Sequence, residues 1–249
     1  MQRALVESWR SAVDGFNSSF AFAAVQLPGY MGDCDGNGQV PFSPNCVPGV
    51  YEMRLAQDQL AGVAGGDAVA VPTYDLGCPF GVKTEACPFG SVHNLDKAPI
   101  GARVARQLWR VMRARRAAVS APSLFPRAVS ATYSNGATKA VVVTVQFNVG
   151  APPLTMSPTQ HCADCCSAGV GDFDVSFDGG ASFVNATTVP TILGDGTSLA
   201  VPVLSPEQQV APTHVRYTAN QAFPQCAVVD AQRLPAFPFV LPVVALRRP

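Results

Sequence analysis

Short apolar runs alternate with helical spacing in the first part of the chain. Residues 20–27 and 68–74 are continuous apolar runs of strand length, which predict two buried strands. Apolar residues three and four apart predict helices over residues 2–13, 51–62 and 98–114. Because helices and strands that alternate form parallel sheets with helical cover, this part is predicted to be α/β. Two strands alone leave both edges of such a sheet unpaired, so further strands are expected to complete it.

The first and third predicted helices each have an apolar face. Leu5, Trp9 and Val13 fall on one face of the first helix and are predicted to point to the core. The third helix has an apolar stripe and, opposite to it, a run of arginines, which we interpret as a solvated face rather than a docking surface for an acidic partner. The stripe consists of Ile100, Val104, Leu108 and Val111, and the arginines are Arg103, Arg106, Arg110, Arg113, Arg115 and Arg116.

The periodicity changes to two from residue 122 onward. Turn sequences rich in Asn, Asp and Gly separate the strands, and no helix is expected beyond residue 125. The strand over residues 139–149 has one strongly apolar face, which needs an opposing sheet. That face consists of Val141, Val143, Val145 and Phe147. The other predicted strands cover residues 128–134, 172–177, 198–204, 213–218 and 238–246.

These patterns predict two unlike domains. Residues 1–121 are expected to form part of an α/β domain, and residues 122–249 a small all-β sandwich-like domain. With 48% hydrophobic and 14% charged residues, a chain of 249 residues has the composition of a globular protein.

Charge and hydropathy exclude several classes of partner. The 17 basic and 17 acidic residues balance to a formal net charge of zero, so the chain lacks the positive field that favours nucleic acid or an anionic membrane. The longest apolar runs, at residues 20–27 and 237–246, fall short of the roughly 20 residues of a spanning helix. We therefore expect no nucleic-acid partner and no membrane span.

Eight cysteines indicate an oxidising compartment. They lie among Pro, Gly and Asp, which favours disulfides, and two N-x-S/T sequons at Asn17 and Asn185 agree with the secretory pathway, lysosomal or extracellular. The first residues carry no apolar export signal, so we expect the N-terminal region of the protein to be missing from this chain. Cys226 is a candidate partner for a cysteine at 162–166, and Cys78 for Cys87.

Two cysteine-containing segments have partial metal-binding patterns. Residues 33–38 begin like an EF-hand calcium loop, but Pro44 stands where a bidentate carboxylate is needed, so a disulfide-tied loop between Cys34 and Cys46 is the favoured interpretation. Residues 161–166 place thiols at a spacing that suits zinc, but without a fourth ligand. We predict no metal and no cofactor.

Among three histidines, only His93 lies between a predicted strand and a predicted helix. Many α/β hydrolytic folds keep a catalytic base at such a junction, and the unperturbed imidazole pKa of about 6.5 suits proton transfer near neutrality. The structural alternative is a polar loop residue that caps a helix or bonds a carbonyl. Asp96 is expected to cap the helix that follows.

The order of several short sequences resembles the sialate O-acetylesterase family of the SGNH hydrolase superfamily. The segment from Cys87 to Lys97 resembles the family's Gly-Ser-Ile-His-Pro-Arg-Asp-Lys segment, with Asn94 in place of proline. The similar sequences elsewhere are Val25-Gln26-Leu27-Pro28-Gly29-Tyr30, Met53-Arg54-Leu55-Ala56-Gln57, Asp75-Leu76-Gly77, the cysteines at 162–166, Val215-Arg216-Tyr217 and Leu234-Pro235-Ala236-Phe237-Pro238-Phe239.

The resemblance implies a partial SGNH-type three-layer α/β domain and a set of site residues. His93 becomes the catalytic base. Gly90 stands where many SGNH enzymes have the orienting aspartate, so Asp75, Glu85 or a backbone carbonyl must orient His93, and Asp75 is favoured because it ends the preceding strand and matches the family's Asp-Leu. Arg54 and Gln26 become candidates for substrate binding, although a salt bridge to an acidic neighbour explains Arg54 equally well. The implied substrate is acetylated sialic acid or another acetylated carbohydrate.

The resemblance also implies a serine that this chain does not contain. No Gly-x-Ser-x-Gly, Gly-Asp-Ser or Gly-Glu-Ser sequence occurs in residues 1–249, so the chain resembles the C-terminal half of an esterase whose N-terminal half is a candidate partner. Two hypotheses follow. The chain belongs to a carboxylic ester hydrolase with a Ser-His mechanism, or it is a non-catalytic module, derived from an esterase, that binds a glycan or a partner.

Overall fold

A computed structural model describes most of the chain. The described residues are 2–12, 21–28, 50–62, 68–77, 95–119, 123–135, 140–158, 172–206, 210–219 and 226–246. His93, the calcium-like segment at 33–38 and the cysteine cluster at 161–166 lie outside these residues, so the predictions made for them stay predictions.

The first part of the chain alternates helices and strands, as predicted. β1 and β2 pair in parallel, with Phe22 opposite Ala68 and Val25 opposite Val71. The elements are α1 (Gln2–Ala12), β1 (Phe22–Val25), α2 (Val50–Asp58), β2 (Ala68–Val71) and α3 (Ala98–Arg116), with short 3-10 helices at Gln59–Gly62 and Tyr74–Leu76.

Helices cover both faces of this two-stranded sheet. Val6 of α1 packs with Leu60 and Ala68, against which Phe22 and Ala24 also pack. On the other face, Val71 belongs to a cluster with Phe125 and Phe237, and Ala23 and Val104 of α3 pack against it. This is the helix–sheet–helix layering predicted for the α/β part.

The buried faces of α1 and α3 differ from the prediction. Leu5 and Trp9 are 44% and 50% exposed, whereas Val6 and Arg10 are 0% and 8% exposed, so the predicted inward face of α1 was wrong. In α3 the buried residues are Arg103, Gln107, Val111 and Ala114. Arg103 therefore does not belong to the solvated arginine face, because it forms a buried ion pair with Asp75.

Beyond the third helix, every element of the described residues is a strand. The strands are β3 (Arg127–Asn135), β4 (Ala140–Asn148), β5 (Thr155–Pro158), β6 (Phe173–Ser176), β7 (Val184–Asn185), β8 (Thr191–Ile192), β9 (Ser198–Leu204), β10 (His214–Tyr217), β11 (Cys226–Val229) and β12 (Phe239–Ala245). Eight of them form one sheet in the order β7-β6-β10-β12-β3-β4-β9-β8, and β11 pairs with β5.

The eight-stranded sheet curls around a single core, and β12 is the strand at which it turns. Residues 239–242 of β12 pair with β10 antiparallel, and residues 243–245 pair with β3 in parallel. Side chains from both halves of the sheet meet in one apolar cluster. The predicted apolar face of β4 is buried there, with exposed fractions of 4%, 0%, 0% and 3% for Val141, Val143, Val145 and Phe147.

Side chains join the helical part to the β part. The Tyr74 hydroxyl, next to the end of β2, lies 3.0 Å from the Tyr217 hydroxyl of β10. Asp58, at the end of α2, forms a two-point ion pair with Arg127 of β3 at 2.6 and 2.7 Å. The domain boundary proposed at residue 122 stays a prediction. None of the helices in the described part of the chain has both the length and the apolar character to cross a bilayer.

Candidate functional site

Three of the four predicted site residues lie at one edge of the β1–β2 sheet. Gln26 directly follows β1, and Asp75 lies in the short helix that follows β2. Arg54 projects from α2 and donates two hydrogen bonds to the chain just after β1. Because ligands of open α/β sheets bind outside the carboxyl ends of parallel strands, this edge is the place where a site is expected.

Gln26 continues the strand ladder and is completely buried. Its backbone N–H donates to Val71 O at 2.9 Å, and its backbone oxygen accepts a hydrogen bond from Thr73 Oγ1 at 2.7 Å. Its side-chain Nε2 donates to Arg54 O at 2.7 Å. Gln26 Oε1 accepts no hydrogen bond from the described residues, which leaves one buried acceptor at the edge.

Arg54 is fully buried and holds the segment after β1. Its Nε donates to Leu27 O at 2.9 Å and its Nη2 to Pro28 O at 2.7 Å, and its guanidinium lies 5.9 Å from the centre of the Tyr74 ring. Burial lowers the pKa of Arg54 to about 10, against the opposing influence of Tyr74 and Asp172, so the side chain stays charged at neutral pH. The acidic neighbour Asp58 pairs with Arg127 instead of Arg54.

Gln57 lies one helical turn after Arg54 and bonds the same segment. Its Nε2 donates to Val25 O at 3.1 Å, and its Oε1 accepts a hydrogen bond from Leu27 N–H at 3.1 Å. Residues three apart on a helix share a face, which explains why Arg54 and Gln57 both reach the end of β1. Together they fix residues 25–28 through backbone groups.

Asp75 is held by Arg103 in a buried, two-point ion pair. Arg103 Nη1 donates to Asp75 Oδ1 at 2.7 Å and Arg103 Nη2 donates to Asp75 Oδ2 at 2.6 Å. Arg103 Nη1 also donates to Pro72 O at 3.1 Å. Each residue is 8% exposed. The pair fixes the orientation of the carboxylate and ties the end of β2 to the second turn of α3.

Tyr74 lies between the Arg54 and Asp75 positions and is fully buried. Its hydroxyl donates to Ala236 O at 2.8 Å and lies 3.0 Å from the Tyr217 hydroxyl. Burial raises the pKa of Tyr74 well above its ordinary value, with Tyr217 adding to the effect, so the phenol is neutral and acts as a hydrogen-bond donor.

The helix that follows His93 in the chain begins as predicted. Asp96 Oδ1 accepts a hydrogen bond from the backbone N–H of Ala98, the first residue of α3, at 3.2 Å. The N-cap position itself is Lys97, so Asp96 bonds the first N–H of the helix from one residue earlier, in an Asx-turn. His93 itself lies outside the described residues, on the chain between the end of the β2 region and this helix.

The structure therefore brings Gln26 and Arg54 into direct contact and places Asp75 beside Tyr74, which the Arg54 guanidinium approaches. Sequence reasoning missed the role of Arg103, because it counted this residue with the solvated arginines. It also gave Gln57 no role of its own. The signal for Arg103 was its spacing, since Arg103, Gln107 and Val111 recur every four residues and share one face.

The likeness of this chain to known proteins lies in its fold. No family model matches the chain, and no curated protein matches it. Among solved structures, a carbohydrate acetylesterase from Xanthomonas citri matches with a TM-score of 0.60 and 18% sequence identity. The match covers 96% of this chain and 44% of the chain of the acetylesterase. The architecture of an α/β part followed by a β part is thus shared with that structure.

Proposed function

We propose that this chain provides the base-bearing part of a carboxylic ester hydrolase that removes O-acetyl groups from sialic acid or a related acetylated sugar. The observation that carries the proposal is the cluster of Gln26, Arg54 and Asp75 at the carboxyl edge of a parallel sheet. Three further facts support it: the position of His93 in the sequence, the resemblance of its surroundings to sialate O-acetylesterases, and the fold shared with a carbohydrate acetylesterase.

The proposed reaction is acyl transfer through a serine on polypeptide outside these 249 residues. The serine oxygen attacks the acetyl carbonyl carbon while the imidazole of His93 accepts the hydroxyl proton. The bond to the sugar oxygen then breaks, and the imidazolium returns that proton to the leaving oxygen. Water attacks the acetyl-enzyme with His93 again as base, which releases acetate and regenerates the serine.

Asp75 is proposed to orient His93, with Arg103 as a positioning residue. A histidine base needs an acceptor at its second ring nitrogen, and a carboxylate whose geometry is fixed serves better than a mobile one. Arg103 holds both oxygens of Asp75 at 2.7 Å or less, and each carboxylate oxygen has a further lone pair for the imidazole N–H. Arg54, charged and at the same edge, is proposed to favour the carboxylate of a sialic acid through its field.

The test is acetate release from an O-acetylated sialoside by the native gene product and by its His93→Ala variant. The native product is expected to release acetate and to react with a fluorophosphonate at a serine outside residues 1–249. His93→Ala is expected to abolish acetate release while its circular dichroism stays unchanged. Comparable turnover by the variant would refute the assignment of His93. A native product that is folded, binds the sialoside and releases no acetate would favour the non-catalytic binding module.

We also propose that the protein enters the secretory pathway. Eight cysteines and two sequons support this, as do the buried, disulfide-bonded Cys226 and the exposed Asn185 of the second sequon. Thiol titration of the native product in denaturant without reductant is expected to find few free thiols, and a full set of free thiols would contradict the proposal.

A further inference from the structure

The edge of β1 that faces away from β2 is arranged for a parallel strand. Gln26 N–H points to β2, where it donates to Val71 O at 2.9 Å. Because backbone groups alternate in direction along a strand, Ala23 and Val25 direct their N–H and C=O groups to the outer edge. Within the described ranges, no residue bonds the N–H or C=O of Ala23 or the N–H of Val25, and β2 is the one strand paired with β1.

The side chain of Gln57 already makes the two hydrogen bonds that one residue of a neighbouring parallel strand would make. In a parallel pair, one residue of the incoming strand donates its N–H to the C=O of residue i and accepts from the N–H of residue i+2. The Gln57 side-chain amide does this for Val25 O and Leu27 N–H, with both distances at 3.1 Å. The next position toward the start of β1 consists of Ala23 C=O and Val25 N–H, which none of the described residues bonds.

The side chains along this edge agree with an aliphatic neighbour. β1 and β2 are equally apolar in sequence, yet all four residues of β2 are buried and all four of β1 are exposed to some degree. Val25 is 39% exposed. The apolar side chains of β1 would become as buried as those of β2 if another strand continued the sheet past β1.

Exposed apolar residues of the flanking helices lie on both faces of β1. Trp9 of α1 is 50% exposed and its ring lies 5.8 Å from the ring of Phe22, between centroids. On the other face, Ile100, Val104 and Leu108 of α3 form an apolar stripe that is only partly buried. An added strand with its own helices would cover these surfaces, which explains why both predicted apolar faces are turned partly outward.

We propose that the outer edge of β1 binds the polypeptide that carries the nucleophile, through a parallel strand in one defined register. One residue of that strand donates to Ala23 O and accepts from Val25 N–H, and the strand ends where Gln57 replaces it. The identity of the partner in this inference rests on the proposed function. The register of the added strand rests only on the backbone geometry of β1. The acetylesterase of similar fold has more than half of its chain outside the match, which is room for such a polypeptide.

Amide hydrogen exchange on residues 21–28 tests this register. The measurement compares the isolated 249-residue chain with the native gene product. In both, the N–H of Ala24 is expected to be protected, because the register directs it to β2. The N–H of Val25 is expected to exchange at least about tenfold more slowly in the native product than in the isolated chain, since the proposed strand supplies an acceptor that no described residue of this chain provides. Equal, fast exchange of Val25 in both samples would overturn the proposal.

Two variants separate this edge from the β2 side. Val25→Pro removes the one N–H that the incoming strand accepts from, and an outward N–H is where proline is tolerated in a strand. The variant is expected to keep the circular dichroism of the isolated chain and to lose acetate release in the native product, whereas Val25→Thr keeps both. Ala24→Pro is expected to disrupt the isolated chain itself. Full activity of Val25→Pro would contradict the proposed pairing.

Acetate release measured on the same preparations distinguishes the two proposals. A protected Val25 N–H in a native product without esterase activity supports the strand and refutes the proposed function. An active native product with an unprotected Val25 N–H supports the proposed function and refutes the strand. If Val25 is protected in the isolated chain and light scattering gives twice the mass of one chain, a second copy occupies the edge and the proposed partner is wrong.

Discussion

Replacing Asp75 by asparagine is expected to destabilise the protein strongly, because it leaves the Arg103 charge buried without a counter-ion. Both residues are 8% exposed, and the two hydrogen bonds between them measure 2.6 and 2.7 Å. Two unit charges about 4 Å apart interact with about 4 kcal/mol at an effective dielectric constant near 20. Breaking such a buried pair from one side typically costs about 3–5 kcal/mol of unfolding free energy.

Asp58→Asn provides a matched control in the same protein. Asp58 and Arg127 form a pair of the same two-point geometry, also at 2.6 and 2.7 Å, but the Arg127 and Asp58 side chains are 32% and 21% exposed. Solvent screens this pair and hydrates the arginine that remains, so the expected loss is about 0.2–1 kcal/mol. Because the two ion pairs share their geometry, the difference between the two losses of unfolding free energy measures the effect of burial.

Urea unfolding followed by circular dichroism measures both losses on the isolated chain. The double variant Asp75→Asn/Arg103→Met is expected to recover most of the stability lost by Asp75→Asn, because it also removes the buried charge. A loss for Asp58→Asn as large as that for Asp75→Asn would refute the reasoning from burial. A double variant no more stable than Asp75→Asn would refute the uncompensated charge as the cause.

Two further predictions concern the β part. Leu199→Ala is expected to cost about 2–5 kcal/mol in urea unfolding because Leu199 is 0% exposed, whereas Leu204→Ala on the same strand, 59% exposed, is expected to stay within about 0.5 kcal/mol; similar losses would contradict the burial assignment. Bonds from the Ser182 hydroxyl and backbone N–H lower the pKa of Asp178 from 3.8 to about 2, so the carboxylate stabilises the fold above about pH 4 and this contribution disappears as pH falls through about 2. An NMR titration of the Asp178 carboxyl is expected to give a midpoint near pH 2, and the midpoint is expected to rise in Ser182→Ala. An unchanged midpoint in this variant would contradict the Ser182 bond as the cause.

Strand alternation was the most informative sequence signal, because it depends on local geometry alone. The inward face predicted for β4 is the face that the structure buries, from Val141 to Phe147. Successive side chains of a strand point to opposite faces, so one buried residue fixes all the others. The helices and strands of the α/β part were also predicted in the right order, within a few residues of their observed bounds.

The contacts that build the candidate site could not be predicted in this way. The four-residue spacing of Arg103, Gln107 and Val111 places Arg103 on one face of α3, but it does not identify Asp75 as the partner of Arg103. The Gln57 amide bonds backbone groups about thirty residues earlier, and no local pattern encodes such a pairing. The apolar face of α1 was misassigned because apolar spacing marks surfaces that need cover, whether or not the chain itself supplies it.

The place of β12 in the large sheet determines when that sheet can close during synthesis. This strand lies between β10 and β3, yet it is the last of the described strands to be made. Until its residues leave the ribosome tunnel, β3-β4-β9 and β6-β10 are separate ribbons with exposed inner edges. The growing chain therefore exposes two unpaired strand edges at once, and pairing of those edges with other chains is a hazard until β12 covers both.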